Sequence, residues 1–163
     1  MPADQLRGPG GSPAEAGSEN GADRFHAVID MAAGAARLAT VRDGLRRWLR
    51  TIGVGERQAG AVLLAAGEAC ANAWEHSGAR AAGPGRPGAW VQAWVQDGQL
   101  HVTVTDTGRW KPPQPPIEPG VATRRGRGRM LMAALVDRVE VRTGPAGTVV
   151  ELITRLQASE DPP

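Results

Sequence analysis

The stretch Glu68-Ala69-Cys70-Ala71-Asn72-Ala73-Trp74-Glu75-His76-Ser77 lies near the end of a helix-forming run that begins at Glu56. At about 100° per residue, its acidic, amide and imidazole side chains share one side of a helix, while Cys70, Ala73 and Trp74 fall on the other. The stretch therefore predicts a helix with one polar and one apolar face.

The polar face of this helix suggests a particular chemistry. A carboxylate and a carboxamide one turn apart, among alanines that leave room for a ligand, can divide the work of phosphoryl transfer. Asn72 would offer its side-chain oxygen to Mg²⁺, and Glu68 would take a proton from an attacking hydroxyl. Taken alone, the pattern is equally typical of the solvated face of an amphipathic helix.

The composition narrows the class of protein. A chain of 163 residues with 19 basic and 17 acidic side chains predicts one domain with net charge +2 and no direct nucleic-acid partner. Cys70 is the only cysteine, so no intramolecular disulfide can form. The chain shows no signal-like start and no apolar run of roughly 18 residues, so we expect a cytoplasmic protein without membrane contact.

The chain divides into tails and a core domain. Residues 1–22 are rich in Pro, Gly, Ser and charge and are expected to be a disordered tail, residues 23–156 the domain, and residues 157–163 a second tail. Phe25–Met31 predicts a strand, Ala35–Ile52 an amphipathic helix, and Glu56 onward a second helix that ends at Ser77-Gly78.

The second half of the chain has the two-residue period of strands. Alternation on both sides of Asp97-Gly98 predicts a hairpin whose second strand runs into Asp106. A proline-rich loop over residues 111–120 has the composition of a lid, and the Gly126 and Gly128 pair opens a short apolar helix over 130–136. A final hairpin over 138–156 completes an α+β fold with helices on one face of a mixed or mainly antiparallel sheet.

The order of these motifs along the chain resembles that of a known protein family. A helix with Glu68 and Asn72, a strand ending in Asp106-Thr107-Gly108, a loop, Gly126-x-Gly128 at a helix, and a strand beginning Gly147-Thr148 resembles the Bergerat-type, histidine-kinase-like ATPases. The Glu-x-x-x-Asn-Ala-x-x-His form is most similar to the anti-sigma factor serine/threonine kinases. The resemblance covers roughly Phe25 to Leu156 and implies a two-layer α/β sandwich that binds ATP and Mg²⁺.

The resemblance also implies a role for each matching residue. Glu68 is implied to be the catalytic base and Asn72 the Mg²⁺ ligand. The residues implied to contact the nucleotide are Asn72, Asp106, Gly108, Arg124, Gly126, Gly128 and Thr148. Asp106 would accept a hydrogen bond from the adenine amino group, Gly108 would let the base lie close, and Arg124 would face the γ-phosphate. His76 ends the motif, either as a ligand contact or as a residue favoured by the helix dipole.

One position departs from the family pattern. The adenine motif commonly reads Asp-x-Gly-x-Gly, and here Trp110 stands at the second glycine. The resemblance implies an ATP-dependent serine/threonine kinase that binds a sigma factor, phosphorylates an anti-anti-sigma (STAS-type) protein and forms a homodimer. The alternative is a nucleotide-dependent regulatory binding module without significant turnover, which would hold its partner through residues 38–50 and the lid.

Overall fold

The computed structural model describes residues 23–29, 35–81, 88–108 and 124–157 of the chain. Within these ranges the chain forms five strands and three helices. In chain order they are β1 (Arg24–Ile29), α1 (Ala35–Thr51), α2 (Glu56–Ala81), β2 (Ala89–Gln96), β3 (Gln99–Asp106), α3 (Arg124–Leu135), β4 (Arg138–Gly144) and β5 (Gly147–Arg155).

The strands form one sheet in the order β1-β2-β3-β5-β4, and every neighbouring pair is antiparallel. The turn between β2 and β3 has positive φ at both central residues, 52° at Asp97 and 72° at Gly98, as a type I′ hairpin requires. Because β5 lies between β3 and β4, the chain crosses over through α3 before the last hairpin closes. The predicted α+β sandwich is confirmed.

The core lies between the helices and one face of the sheet. Alternate residues of β3 point to this face, and Leu100, Val102 and Val104 are almost completely buried there. From the helix side, α1 contributes Leu45 and Leu49, while α2 contributes small residues that let it lie close to the strands. Asp106 continues the inward-facing set of β3, so the apolar face ends in a buried carboxyl group at one edge of the core.

Two predicted helix boundaries are wrong. α2 does not end at Ser77-Gly78 but continues to Ala81. A glycine in a helix costs only about 1 kcal/mol relative to alanine, and a packed helix of 26 residues tolerates that cost. α3 begins at Arg124, six residues before the predicted start at residue 130. Arginine is a good helix former, and packing against α2 outweighs the glycines.

Several sequence predictions concern residues outside the described ranges. These are the predicted tail over residues 1–22, the predicted tail over residues 157–163 apart from Gln157, the proline-rich lid and Trp110. Within the described ranges, no helix combines the length and the apolar character needed to span a bilayer.

Candidate functional site

Strand pairing brings two predicted site residues together where β3 ends and β5 begins, an end of the strands that we call the sheet edge. Asp106 is the last residue of β3, and its partner in the antiparallel register is Thr148, the second residue of β5. Both are almost fully buried, with 3% of Asp106 and 1% of Thr148 exposed. Directly paired side chains of neighbouring strands lie about 5 Å apart at Cβ, so these two polar groups form one cluster.

The carboxyl group of Asp106 is held by the following turn. The backbone N–H of Gly108 donates to Oδ1 at 2.9 Å, and the N–H of Thr107 donates to the Gly88 carbonyl at 3.1 Å, which anchors the loop to the start of β2. Burial raises the pKa of Asp106 to about 6, although the Gly108 N–H favours the ionised form. No other described residue hydrogen-bonds this carboxylate, so Oδ2 remains available to a ligand.

Thr148 and its neighbour Gly147 complete this cluster. The Thr148 hydroxyl is buried and has no hydrogen-bond partner among the described residues, a state that costs free energy unless a ligand or water pairs with it. Gly147 has φ of 133°, and a Cβ at this position would overlap the Asp106 carbonyl oxygen and lie 2.9 Å from the Cα of Thr107. Only glycine allows β5 to approach the Asp106 turn this closely.

A second cluster lies between α2 and α3. A Cβ built on Gly128 would lie 3.0 Å from Oε2 of Glu68 and 3.6 Å from Nδ2 of Asn72. Glu68 and Asn72 are both half-buried, and one turn of helix separates them on the same side of α2. The backbone of α3 at Gly128 therefore lies directly against the side chains of Glu68 and Asn72, the predicted catalytic base and Mg²⁺ ligand.

Gly126 and Gly128 occupy different positions in α3. Gly126 lies in the first turn, where backbone N–H groups have no partner within the helix and can meet an anion. Gly128 lies one half-turn further and is buried against α2. The side chains of Arg124 and His76 lie outside the described part of the structure, so their predicted ligand contacts stay predictions. The alternative for His76, a residue favoured by the dipole at the helix end, is wrong, because α2 continues five residues beyond it to Ala81.

The polar side chains of the two clusters suit the binding of a nucleotide with its metal ion. The unpartnered Thr148 hydroxyl and the available Asp106 oxygen match the edge of a purine base, which presents donors and acceptors side by side. Among the described residues, no group of three or more His, Cys, Asp or Glu side chains could hold a metal ion. A Mg²⁺ ion at Asn72 would accordingly take most of its ligands from phosphates and water, as this ion usually does.

The importance of Gly147 was only partly visible in the sequence. The sequence predicts that the Gly147-Thr148 pair begins a strand, but the close approach to the Asp106 backbone depends on how β3 and β5 pair. The sequence signal for this close approach is the second glycine of Gly144-Pro145-Ala146-Gly147. A turn of this length does not need glycine at both ends, so Gly147 calls for another explanation. The Gly108 N–H bond to Asp106 follows from an Asx turn and was readable in principle.

Comparison with known proteins agrees with this geometry. The family model described as a histidine kinase-like ATPase domain matches residues 31–154. Among solved structures, the chain is similar to the RsbU and RsbW domains of Rv1364c from Mycobacterium tuberculosis, with 28% sequence identity and a TM-score of 0.63 over 82% of this chain and 32% of that one. It thus spans about a third of the length of that solved chain.

A second similar structure is the histidine kinase domain of the blue-light activated histidine kinase from Erythrobacter litoralis EL346, with 25% identity and a TM-score of 0.48 over 74% of this chain and 60% of that one. The family match covers most of the chain, including both clusters. The resemblance drawn from the sequence is confirmed at the family level: this chain belongs to the histidine kinase-like ATPase family.

Proposed function

We propose that this protein is an ATP-dependent protein serine/threonine kinase that regulates a sigma factor by phosphorylating an anti-anti-sigma (STAS-type) protein. The proposal is carried by the close approach of the α3 backbone at Gly128 to Glu68 and Asn72, where an added Cβ would come within 3.0 Å of the Glu68 carboxylate. A base and a metal ligand on one helix, closed by the backbone of a second helix, form the arrangement that phosphoryl transfer requires.

Asp106 and Thr148 would select the base of the nucleotide. An ionised carboxylate accepts the hydrogen bond that the adenine amino group donates, and the Thr148 hydroxyl would gain the partner that it lacks. Gly147 and Gly108 keep the surrounding backbone close, so the base can lie against peptide groups instead of side chains. This cluster supplies affinity and takes no part in bond breaking.

Glu68 would act on the partner's serine. Its carboxylate accepts the hydroxyl proton while the serine oxygen forms a bond to the γ-phosphorus and the bond to the leaving ADP breaks. When bound, Mg²⁺ at Asn72 neutralises charge on the phosphates. The N–H groups of the first turn of α3, with Arg124 beside them, would hold the phosphate oxygens during transfer.

The partner class is supported by the resemblance of the motif to anti-sigma kinases and by the similarity to a structure that contains an RsbW domain. The same resemblance supports a homodimer. The second candidate, a nucleotide-dependent binding module without turnover, is favoured by the surface of α1. This helix carries five arginines against one aspartate, and Arg37 and Arg47 are exposed and form no ion pair with any described residue, which suits the capture of an acidic partner.

Substitution of Glu68 separates the two candidates. Glu68→Gln keeps the size of the side chain but removes the proton acceptor, so phosphorylation of a co-purified partner by radiolabelled ATP should fall by roughly 10²- to 10⁴-fold while ATP affinity, measured by calorimetry, hardly changes. Glu75→Gln is the matched control, because Glu75 lies on the same helix and is exposed. It should transfer phosphate at the wild-type rate.

Equal, negligible transfer by the wild type and Glu68→Gln, with the partner still held when ATP is present, would establish the binding module instead. Asn72→Ala adds a second distinction. Loss of the metal ligand should weaken both Mg²⁺–ATP binding and transfer, whereas Glu68→Gln should weaken transfer alone.

A further inference from the structure

A cavity of about 330 Å³ lies between α1 and α2. Its walls are apolar: Leu45 comes from α1, Leu63 and Cys70 come from α2, and Val91 of β2 forms the floor. Burial raises the pKa of the Cys70 thiol to about 12, so this wall stays uncharged. The volume falls at the lower end of the range of about 300–1,000 Å³ that small-molecule sites occupy.

The cavity is separate from the candidate nucleotide site. At about 100° per residue, Cys70 lies roughly 200° around α2 from Glu68, on the opposite side of the helix. Leu63 lies close to the same direction as Cys70 and also faces α1. None of the residues that form the Asp106 or Glu68 clusters lines the cavity, so nucleotide binding does not explain it.

The mouth of the cavity is lined by one positively charged side chain and is sterically open. Arg42 lies at the rim, is exposed, and forms no ion pair with any described residue, whereas Arg46, one turn further along α1, is paired with Asp43 at 3.0 Å. Across the mouth, a Cβ built on Gly67 would meet no atom within 4 Å. The entrance thus combines a guanidinium that is unpaired among the described residues with room for a ligand to pass.

We propose that this cavity binds a small amphipathic carboxylate, with its alkyl or aryl chain between α1 and α2 and its head group at Arg42. The apolar walls match the chain, and the unpaired guanidinium matches the carboxylate, which it can bind through two parallel hydrogen bonds. The proposal does not depend on the kinase activity.

The distribution of apolar side chains favours a small ligand over a protein partner at this place. The large hydrophobic side chains that are exposed among the described residues are Val28, Leu64, Val95 and Met130, and none of them lines the cavity. A partner helix lying across the mouth would find arginines and small residues instead of apolar anchors, which protein interfaces need at their centre. A ligand at this place would therefore have to bind its apolar part between α1 and α2, where the apolar lining residues lie.

Calorimetric titration of the full chain with decanoate, below its micelle concentration, tests the proposal. We expect saturable one-to-one binding, weaker binding of decanol, and none of decyltrimethylammonium. Gly67→Leu, which places a side chain at the mouth, should reduce decanoate affinity at least ~10-fold. Gly60→Leu is the matched control, because Gly60 lies on the same helix with equally open space and does not line the cavity. It should bind decanoate as the wild type does.

Arg42→Gln separates the head-group contact from the chain contact. It should weaken decanoate binding by up to ~5-fold, as for an exposed ion pair, and leave decanol binding unchanged. If Gly67→Leu fails to fold by circular dichroism, Ala39→Leu narrows the mouth from the α1 side and takes its place. Equal binding of the three probes, unchanged binding in the plugged variant, or binding only of an acidic amphipathic peptide would overturn the proposal.

Discussion

The two clusters of the candidate site are built in different ways. At the sheet edge, strand pairing fixes Asp106, Gly147 and Thr148, and the Asp106 and Thr148 side chains are almost inaccessible to water. Between the helices, Glu68 and Asn72 project from one element toward the backbone of another, and both remain half-buried. The first cluster is therefore part of the core, whereas the second depends on how two helices pack.

This difference bears on what each cluster can do. A carboxyl group and a hydroxyl buried in a sheet lose little entropy when a ligand arrives, so they suit recognition of a flat base. A carboxylate held against a second helix can be exposed or covered when that helix shifts, which suits a step that must happen only with the partner present. The two clusters should accordingly respond to substitution in different ways.

The largest effect on stability is expected at the sheet edge. Gly147→Ala places a methyl group against the Asp106 carbonyl at a positive φ, so the free energy of unfolding should fall by about 3 kcal/mol or more. Urea denaturation measures this change. Gly144→Ala, in the same hairpin with nothing within 4 Å of the new methyl, should change stability by less than about 1 kcal/mol. Equal midpoints for the two variants would show that the sheet edge can relax.

The same methyl group at the helix cluster should affect chemistry more than folding. In Gly128→Ala the new Cβ lies tight, at 3.0 Å, against the flexible end of Glu68 and at an ordinary contact distance of 3.6 Å from the Asn72 amide. Because alanine also favours the helix by about 1 kcal/mol, the domain should keep its stability. Displacement of Glu68 should slow phosphate transfer by ~10- to 100-fold. Gly60→Ala, also in a helix but in open space, serves as the control in the same transfer assay. Undiminished transfer by Gly128→Ala would remove Glu68 from the role of base.

The pH dependence of ATP binding tests the sheet-edge cluster alone. Because burial raises the Asp106 pKa from 3.8 to about 6, the folded state holds this proton more tightly, and the stability contribution of the group falls as pH rises from about 4 to 6. ATP needs the ionised acceptor, so its affinity should fall by ~10-fold between pH 7 and pH 5. Asp106→Asn should bind ATP far more weakly, because its amide presents a donor to the adenine amino group, and that residual affinity should not vary with pH. Constant wild-type affinity across this range in calorimetry would exclude Asp106 as the acceptor.

The smallest expected effect concerns the Thr148 hydroxyl. Thr148→Val removes a buried polar atom without a partner among the described residues, so the ligand-free protein should gain about 1 kcal/mol while ATP binds less tightly. Thr154→Val is the control on the same face of β5. Its hydroxyl donates to Oδ2 of Asp137 at 3.3 Å, so this variant should lose stability. Thermal unfolding with and without ATP distinguishes the two, and a loss of stability in both would mean that Thr148 is already paired.

The sequence by itself determined the elements whose signals are local. The 3.6-residue period placed Glu68 and Asn72 on one side of α2, and Asp97-Gly98 located the hairpin that ends in Asp106. The order of the motifs was enough to recognise the family, because each motif is short and contiguous. The helix boundaries at Ala81 and Arg124 were missed, since a glycine signals a helix end only when no tertiary contact outweighs it.

The tertiary structure alone decided which of these residues meet. The pairing of Asp106 with Thr148, the approach of Gly147 to the Asp106 backbone, and the contact of Gly128 with Glu68 all join segments far apart in the chain. A period of 2 or 3.6 residues tells which face a side chain occupies, but not which residue of another element stands opposite. That choice is made by strand register and helix packing, which depend on the shape of the whole core.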